Sequence, residues 1–276
     1  MTLFIILAGI AGILAATIYV TWRSSPGEGG MKTRAIALAV LVGFSYATWS
    51  YFYPTSKLHA KITIDVETPE GLKTGSSVQE VIYSLEPCPV CNTAGPKLRR
   101  NVRGEAVAVD IGSRGVLFAI LVGGANGQPS SDLITPETVM SIFAPEQNLA
   151  RASAVRSLGR ISGKAEIPRH QLPFLVRFTD IADPKTVEAV DPDYLAGKFG
   201  QGVKLVKATI EIVPSGWWPF SAFGHSGTPV TTGIEKRLPW LPDFYDKLLD
   251  GDRTHYAGAE NRLANSLGSG SFKSTR

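Results

Sequence analysis

Leu3-Phe-Ile-Ile-Leu-Ala-Gly-Ile-Ala-Gly-Ile-Leu-Ala-Ala-Thr-Ile-Tyr-Val20 begins the chain without a charged side chain, and Ala35 to Tyr53 forms a second charge-free run. At 1.5 Å per residue, a helix of about 20 apolar residues crosses the roughly 30 Å hydrocarbon layer of a bilayer. The runs therefore predict two transmembrane helices, over residues 3–22 and 35–53, with Pro54 ending the second. Residues 1–54 are expected to anchor the chain in a lipid bilayer.

The anchor has two alternative forms, a helical hairpin or a single helix. Small residues along the first run favour close packing of two helices: Gly9, Ala11, Gly12, Ala15 and Ala16. However, Met31-Lys-Thr-Arg34 reads as a second translation start with a basic n-region, which would leave only the second run. The second run ends in aromatic residues instead of the small residues that signal cleavage needs, so it is expected to be retained.

Basic residues flank the second run equally, so charge alone does not decide the side of the membrane. The connector carries three and the following segment carries three, namely Arg23, Lys32 and Arg34 against Lys57, Lys61 and Lys73. The short uncharged N-terminal tail and the two cysteines favour translocation. We therefore expect an integral membrane protein whose larger part is periplasmic or otherwise extracytoplasmic.

Composition describes the remainder as an ordinary globular chain. Of 276 residues, 44% are hydrophobic and 19% are charged, and the formal net charge is only +4. This charge is dispersed, with no basic stripe and interleaved aromatics, so a nucleic-acid partner is not indicated. Two cysteines are too few for a disulfide-dense scaffold.

Alternating hydrophobicity predicts several β-strands after Pro54. Ile62, Ile64 and Val66 alternate with polar residues, as in a half-buried strand. Further strands are predicted at Val78–Leu85, at a hairpin of 104–110 with 116–122, at Phe174–Phe178, at Val203–Val213 and at 229–234. The expected fold is α+β, with a β-rich, mostly antiparallel globular domain over residues 55–250.

Helices and polar segments divide this domain. Thr135 is expected to cap a helical segment over 135–160 with Pro136 at its first position, and Asp191 is expected to cap a short helix from Pro192 to Phe199. The segment 135–160 would join two lobes, 55–128 and 165–250. Residues 251–276 contain few large apolar side chains, which predicts a flexible polar tail.

Cys88-Pro-Val-Cys91 is the most specific local pattern, and three interpretations compete. A redox dithiol needs a helix N-terminus or nearby cations to lower the thiolate pKa, and a loop follows here, although basic residues are close. A zinc site needs two more ligands, and the four histidines are scattered. A local disulfide or an inert thiol pair is the favoured interpretation.

No catalytic, metal or cofactor motif has the required spacing. Gly224-His-Ser-Gly227 lacks the final glycine of a nucleophile elbow because position 228 is Thr, and 123–127 lacks the Lys-Ser/Thr of a phosphate-binding loop. Four carboxylates lie close in sequence, but two of them precede proline as turn or cap residues do: Asp180, Asp183, Asp191 and Asp193. No cofactor is expected, and an enzyme is the less favoured class.

One aromatic cluster stands out in the globular part: Trp217, Trp218, Phe220 and Phe223. Aromatic residues are enriched both at interface hot spots and at membrane boundaries, although rings in such a loop also commonly close the edge of a core. The sequence thus favours a membrane-anchored, non-catalytic envelope protein whose domain binds or scaffolds another envelope component. The alternatives are an accessory subunit of a membrane complex and a hydrolase with an unrecognised active site.

Overall fold

The computed structural model describes residues 19, 28–88, 96–125, 127–148, 151–216, 227–256 and 258–275. Within them the chain forms a β-rich, antiparallel α+β domain with four helices. This confirms the fold class expected for the globular part. The helices are α1 (Glu28–Phe52), α2 (Ile134–Phe143), α3 (Ala152–Leu158) and α4 (Ala196–Phe199).

Helix α1 covers the second apolar run and begins seven residues before its predicted start at Ala35. Pro54 follows its last turn and lacks the backbone N–H that would continue the helix. Among the described residues, no helix combines the length and apolarity needed to cross a membrane. Apart from Tyr19, the predicted helix at 3–22 lies outside the described residues.

Twelve strands form three antiparallel sheets in the described chain. The strands are β1 (Thr55–Thr68), β2 (Gly71–Glu86), β3 (Lys97–Glu105), β4 (Val107–Asp110), β5 (Val116–Ala119), β6 (Val122–Ala125), β7 (Gln128–Leu133), β8 (Gly163–Glu166), β9 (Leu175–Phe178), β10 (Val187–Ala189), β11 (Lys204–Val213) and β12 (Lys273–Ser274). A six-stranded sheet has the order β12-β3-β2-β1-β11-β8, a four-stranded sheet the order β10-β9-β5-β4, and β6 pairs with β7.

The long hairpin of β1 and β2 is the centre of the larger sheet. Its turn, Pro69-Glu70, joins Thr68 to Gly71, and glycine suits position 71 because its φ is +113°. The two sheets approach closely where β2 meets β4, since a Cβ on Gly75 would overlap the carbonyl of Ala108. Alternate β1 side chains are buried as the sequence pattern predicts.

Two apolar clusters form the core. The first lies between the six-stranded sheet and its neighbours and includes Leu58, Ile62, Ile64, Val81, Leu117, Val139, Val155 and Ile210. The second is rich in rings and packs the smaller sheet against the C-terminal residues, with Phe118, Phe178, Trp240 and Phe272 in mutual contact. Edge-to-face geometry recurs in these pairs, as aromatic quadrupoles favour.

The C-terminal segment differs from the predicted flexible tail. Leu267 and Phe272 are buried, and Lys273–Ser274 forms strand β12 beside β3. The prediction was wrong because it read the low apolar content of 251–276 as disorder, whereas a few large side chains here fill the second cluster. Small and polar residues between them serve as turns.

The predicted lobes 55–128 and 165–250 are not separate units. Strand β11 pairs with β1 over most of its length, so the six-stranded sheet mixes strands from both halves. Residues 229–234 form no strand but lead into a 3₁₀ turn at Ile234–Lys236. The short helix begins at Ala196 rather than Pro192, since residues 191–194 form a turn in which the Tyr194 N–H donates to the Asp191 carbonyl.

Candidate functional site

Helix α1 exposes large apolar side chains that no other described part of the chain covers. Ile36, Leu38, Val40 and Val42 have exposed fractions of 65%, 63%, 64% and 60%. Exposed apolar residues are ordinary when single, but a contiguous apolar surface marks contact with lipid or another protein. The helix is therefore the first candidate site.

The exposed residues of α1 occupy opposite sides of the helix. Ile36, Val40 and Phe44 form one row at a spacing of four residues. Leu38 and Val42 begin a second row, and a two-residue step rotates the helix by about 200°. A single partner helix covers one such row. Exposure of both rows leaves apolar side chains on opposite sides of the helix.

Aromatic rings crowd the C-terminal end of α1. The rings of Trp49 and Tyr53 lie 4.7 Å apart, and those of Tyr51 and Phe52 meet edge to face at 5.3 Å. Trp49 and Tyr51 are more than half exposed. Amphipathic rings of this kind favour the boundary between hydrocarbon and water.

Arg156 fastens this helix end to the domain. Its Nη1 donates a 2.6 Å hydrogen bond to the carbonyl of Tyr51, and its guanidinium lies 4.8 Å from the centre of the Tyr51 ring. The backbone N–H of Leu85 donates to the carbonyl of Pro54 at 3.1 Å, so β2 holds the residue that follows the helix. Ser56 Oγ donates to the Val155 carbonyl at 2.6 Å, joining β1 to α3.

Exposed basic side chains surround this junction. Arg99 of β3 is level with Thr55, because both pair across Ser84 of β2. Others lie on the adjoining strand ends or flank α3: Lys57, Lys97, Arg151 and Arg160. Sequence reasoning considered a lipid contact for Arg151 and Arg160 but favoured a solvated basic face, and it did not join them to Lys57 and Lys97, because only the sheet register and α3 bring these distant residues together.

A buried polar network fixes the opposite end of β3. Ser77 Oγ and Gln79 Nε2 both donate to the carbonyl of Glu105, and Gln79 Oε1 accepts from Thr135 Oγ1 at 2.7 Å. Thr135 therefore does not cap α2 as predicted; Leu133 occupies the cap position. The side chain of Glu105 accepts from the Ile234 backbone at 2.7 Å and lies 3.6 Å from Lys273 Nζ. These bonds hold the C-terminal segment to the sheet.

His59 forms a second polar group beside Thr228. Its Nδ1 lies 2.7 Å from the Thr228 carbonyl, so this nitrogen carries the donated proton. Its Nε2 lies 4.0 Å from Glu80 Oε1, and the other oxygen of Glu80 is 3.4 Å from Arg103. His59 is 8% exposed. The arrangement joins β1, β2 and β3 to residue 228.

A cleft of about 640 Å³ brings His170, Asp191 and Asp193 together. Asp191 is occupied as a turn acceptor, and Asp193 lies 3.5 Å from Arg169. Two further predicted turn carboxylates lie outside the cleft and accept backbone N–H groups: Asp180 and Asp183. These hydrogen bonds agree with the turn interpretation. The described residues contain no cluster of three or more metal-ligating side chains.

The other predicted site residues fall mostly outside the described residues. Cys88 is disulfide-bonded, and it follows the end of β2; Cys91 lies outside the described chain. The aromatic cluster of Trp217, Trp218, Phe220 and Phe223 also lies outside it, as do His225 and Ser226. The predicted partner contact of these rings stays a prediction.

Comparison with known proteins finds no matching family, no similar curated protein and no similar solved structure. Function must therefore be argued from the geometry of the chain itself.

Proposed function

We propose that this chain is a membrane-anchored, non-catalytic envelope protein whose β-rich domain binds or scaffolds another envelope component. Helix α1 would lie in lipid, either with the preceding apolar run as a hairpin or alone. The domain would stand at the membrane surface on the extracytoplasmic side. The disulfide at Cys88 supports that side, because disulfides persist in oxidising compartments.

The observation that carries the proposal is the exposure of both faces of α1. Water in contact with so many apolar side chains is unfavourable by about 25 cal/mol per Å² of apolar surface. Lipid removes this cost for every face at once, whereas a partner protein would have to surround the helix. The aromatic end of α1 supports the same environment, since it lies between the apolar rows and the polar domain.

The test is retention in membranes after an alkaline carbonate wash, which strips peripheral proteins. We expect the full chain to stay in the membrane pellet and its double variant L38R/V42R to be released in large part. An arginine at the centre of a membrane helix costs about 2.5–3.5 kcal/mol on insertion scales. Release of the unaltered chain by carbonate would refute membrane anchoring.

The matched control places the same charges on exposed apolar residues of the domain. Leu72 is 61% exposed and Val206 is 45% exposed, close to the values in α1. The variant L72R/V206R should remain in the pellet, because these residues face water in the proposed arrangement. An alkaline phosphatase fusion after Arg276 tests the side, and an inactive fusion would place the domain in the cytoplasm.

The scaffolding role has its own test at the aromatic cluster. Detergent extracts of cells carrying the unaltered chain are expected to yield an envelope component that W217A/W218A fails to retain. A W240A variant is an unsuitable control because Trp240 is buried in the core. The exposed Tyr194 provides a suitable one, as Y194A. Equal recovery of all associated components from both variants would argue against this contact.

A further inference from the structure

A group of basic side chains lies beside the end of α1 that the proposed function places at the membrane surface. From it we infer that Lys57, Lys97, Arg151 and Arg160 bind anionic phospholipid headgroups of the same bilayer that holds α1. This inference rests on the proposed function, and it adds a lipid class and a contact surface to it. The partner is defined by chemistry: a phosphate-bearing, negatively charged lipid surface.

The sheet register sets the level of these side chains relative to the helix end. Thr55 is the third residue after the end of α1 and is level with Arg99. Lys97 lies two residues from Arg99 along β3, roughly 7 Å nearer to the helix. Lys57 lies two residues from Thr55 along β1, in the direction away from the helix. The basic group therefore lies at the height of the aromatic end of α1.

Helix α3 supplies the remaining members on the other flank. It is joined to β1 by the hydrogen bond of Ser56 and to α1 by the side chain of Arg156. Arg151 precedes this helix and Arg160 follows it, and both are exposed. Arg156 itself is not assigned to lipid, because its guanidinium already binds the helix end.

Charge pairing distinguishes these four residues from their basic neighbours. Arg99 is 3.5 Å from Glu86, and Arg100 pairs with Glu137. In the described structure, Lys57, Lys97, Arg151 and Arg160 have no acidic partner, and each is exposed. Glu146, the acidic residue nearest to α3 in the sequence, forms no ion pair with the described residues. Four positive charges thus remain available to an anionic surface.

Exposed basic residues elsewhere on the domain lack this setting. Lys185, Lys236, Arg253 and Arg262 are exposed on the segments around the second core cluster, which also carry many of the acidic turn residues. No apolar helix end adjoins them. They therefore provide a control set of identical charge and composition.

The experiment uses the full chain reconstituted into phosphatidylcholine vesicles, with or without phosphatidylglycerol. Amide hydrogen exchange is measured over 97–101 and 151–161. We expect exchange in these segments to slow by about fivefold or more when the anionic lipid is present, since each basic residue near such a surface contributes roughly that preference. High salt should remove the protection, because headgroup attraction is screened within a Debye length.

The variants K57Q/K97Q/R151Q/R160Q and K185Q/K236Q/R253Q/R262Q separate the lipid contact from general charge. The first should lose the lipid-dependent protection and the second should keep it. Both should retain the unaltered melting temperature in detergent within a few degrees, because exposed substitutions rarely change stability by more than about 0.5 kcal/mol.

Two different results would overturn the inference, and they are distinguishable. Equal exchange in the two lipid compositions, in chains that resist carbonate extraction, would refute headgroup binding and leave the anchor intact. Release of the chain by carbonate from both compositions would refute the anchor and the inference together.

Discussion

Helix α1 and strand β1 contain the same kinds of apolar residue within thirty positions of each other, yet they have opposite environments. Ile62 and Ile64 of β1 are 2% and 0% exposed, whereas Ile36 of α1 is 65% exposed. The strand alternates apolar and polar residues and therefore has one face for the core. The helix has no polar face, so no single packing surface of this domain satisfies it. Hydrophobic content alone thus does not identify core residues; its periodicity does.

The substitution with the largest expected effect tests whether the C-terminal segment packs in the core, as β1 does. Phe272→Ala should destabilise the domain by about 3–5 kcal/mol, because it removes a ring packed against three others. Thermal unfolding of the full chain in detergent, followed by near-UV circular dichroism, measures the change. The exposed neighbour Ser266 supplies the control, as S266A. A loss below about 1 kcal/mol for F272A would return residues 258–275 to the flexible tail expected from composition.

A matched pair of isoleucines tests the comparison directly. Ile64→Ala should cost about 2–5 kcal/mol of domain stability, since the side chain is fully buried. Ile36→Ala should change domain stability by less than about 0.5 kcal/mol. The same unfolding measurement serves both variants. Similar losses from the two substitutions would show that α1 packs as part of the domain.

Loss of the disulfide at Cys88 is expected to reduce the stability of the domain by a smaller amount than the core substitutions. Cys88→Ser should cost about 2 kcal/mol, the lower end of the usual range for loss of a disulfide. Reductant should lower the melting temperature of the unaltered chain to that of the variant. The melting temperature of the variant should not change with reductant. A melting temperature insensitive to reductant in both proteins would show that the purified chain holds no such bond.

The smallest effect concerns acid stability at the C-terminal strand. The hydrogen bond from Lys273 and a second one from Tyr245 lower the pKa of the Glu235 carboxyl below its usual 4.5. A lowered pKa in the folded state contributes stability above the usual value and loses it as the pH falls through the lowered one. Melting temperature should therefore fall below pH 4.5 slightly less steeply in E235Q. If the melting temperatures of the two proteins fall equally with pH, this ion pair does not contribute to the loss of stability in acid.

Sequence reasoning predicted elements whose pattern is local. The alternation of Ile62, Ile64 and Val66 predicted β1, and the glycine-containing loop at 111–115 predicted the β4–β5 hairpin, which the structure confirms. The same reasoning missed the C-terminal packing, since Phe272 reaches its partners only through the tertiary fold. For the basic group beside α1, the sequence favoured a solvated face on the helical residues Arg151 and Arg160; their neighbourhood with Lys57 and Lys97 depends on sheet register, which no local pattern encodes.

The junction at Pro54 joins α1 to the domain without a flexible linker. Only Tyr53 and Pro54 separate the end of α1 from the start of β1, and hydrogen bonds from Leu85 and Arg156 hold the two sides of that step. A domain on a long linker sweeps a wide volume and finds partners by searching. This one would keep a fixed orientation relative to α1, and the 14 residues of β1 span roughly 45 Å. If α1 lies in lipid as proposed, partners would be selected by their height above the bilayer as much as by their surface chemistry.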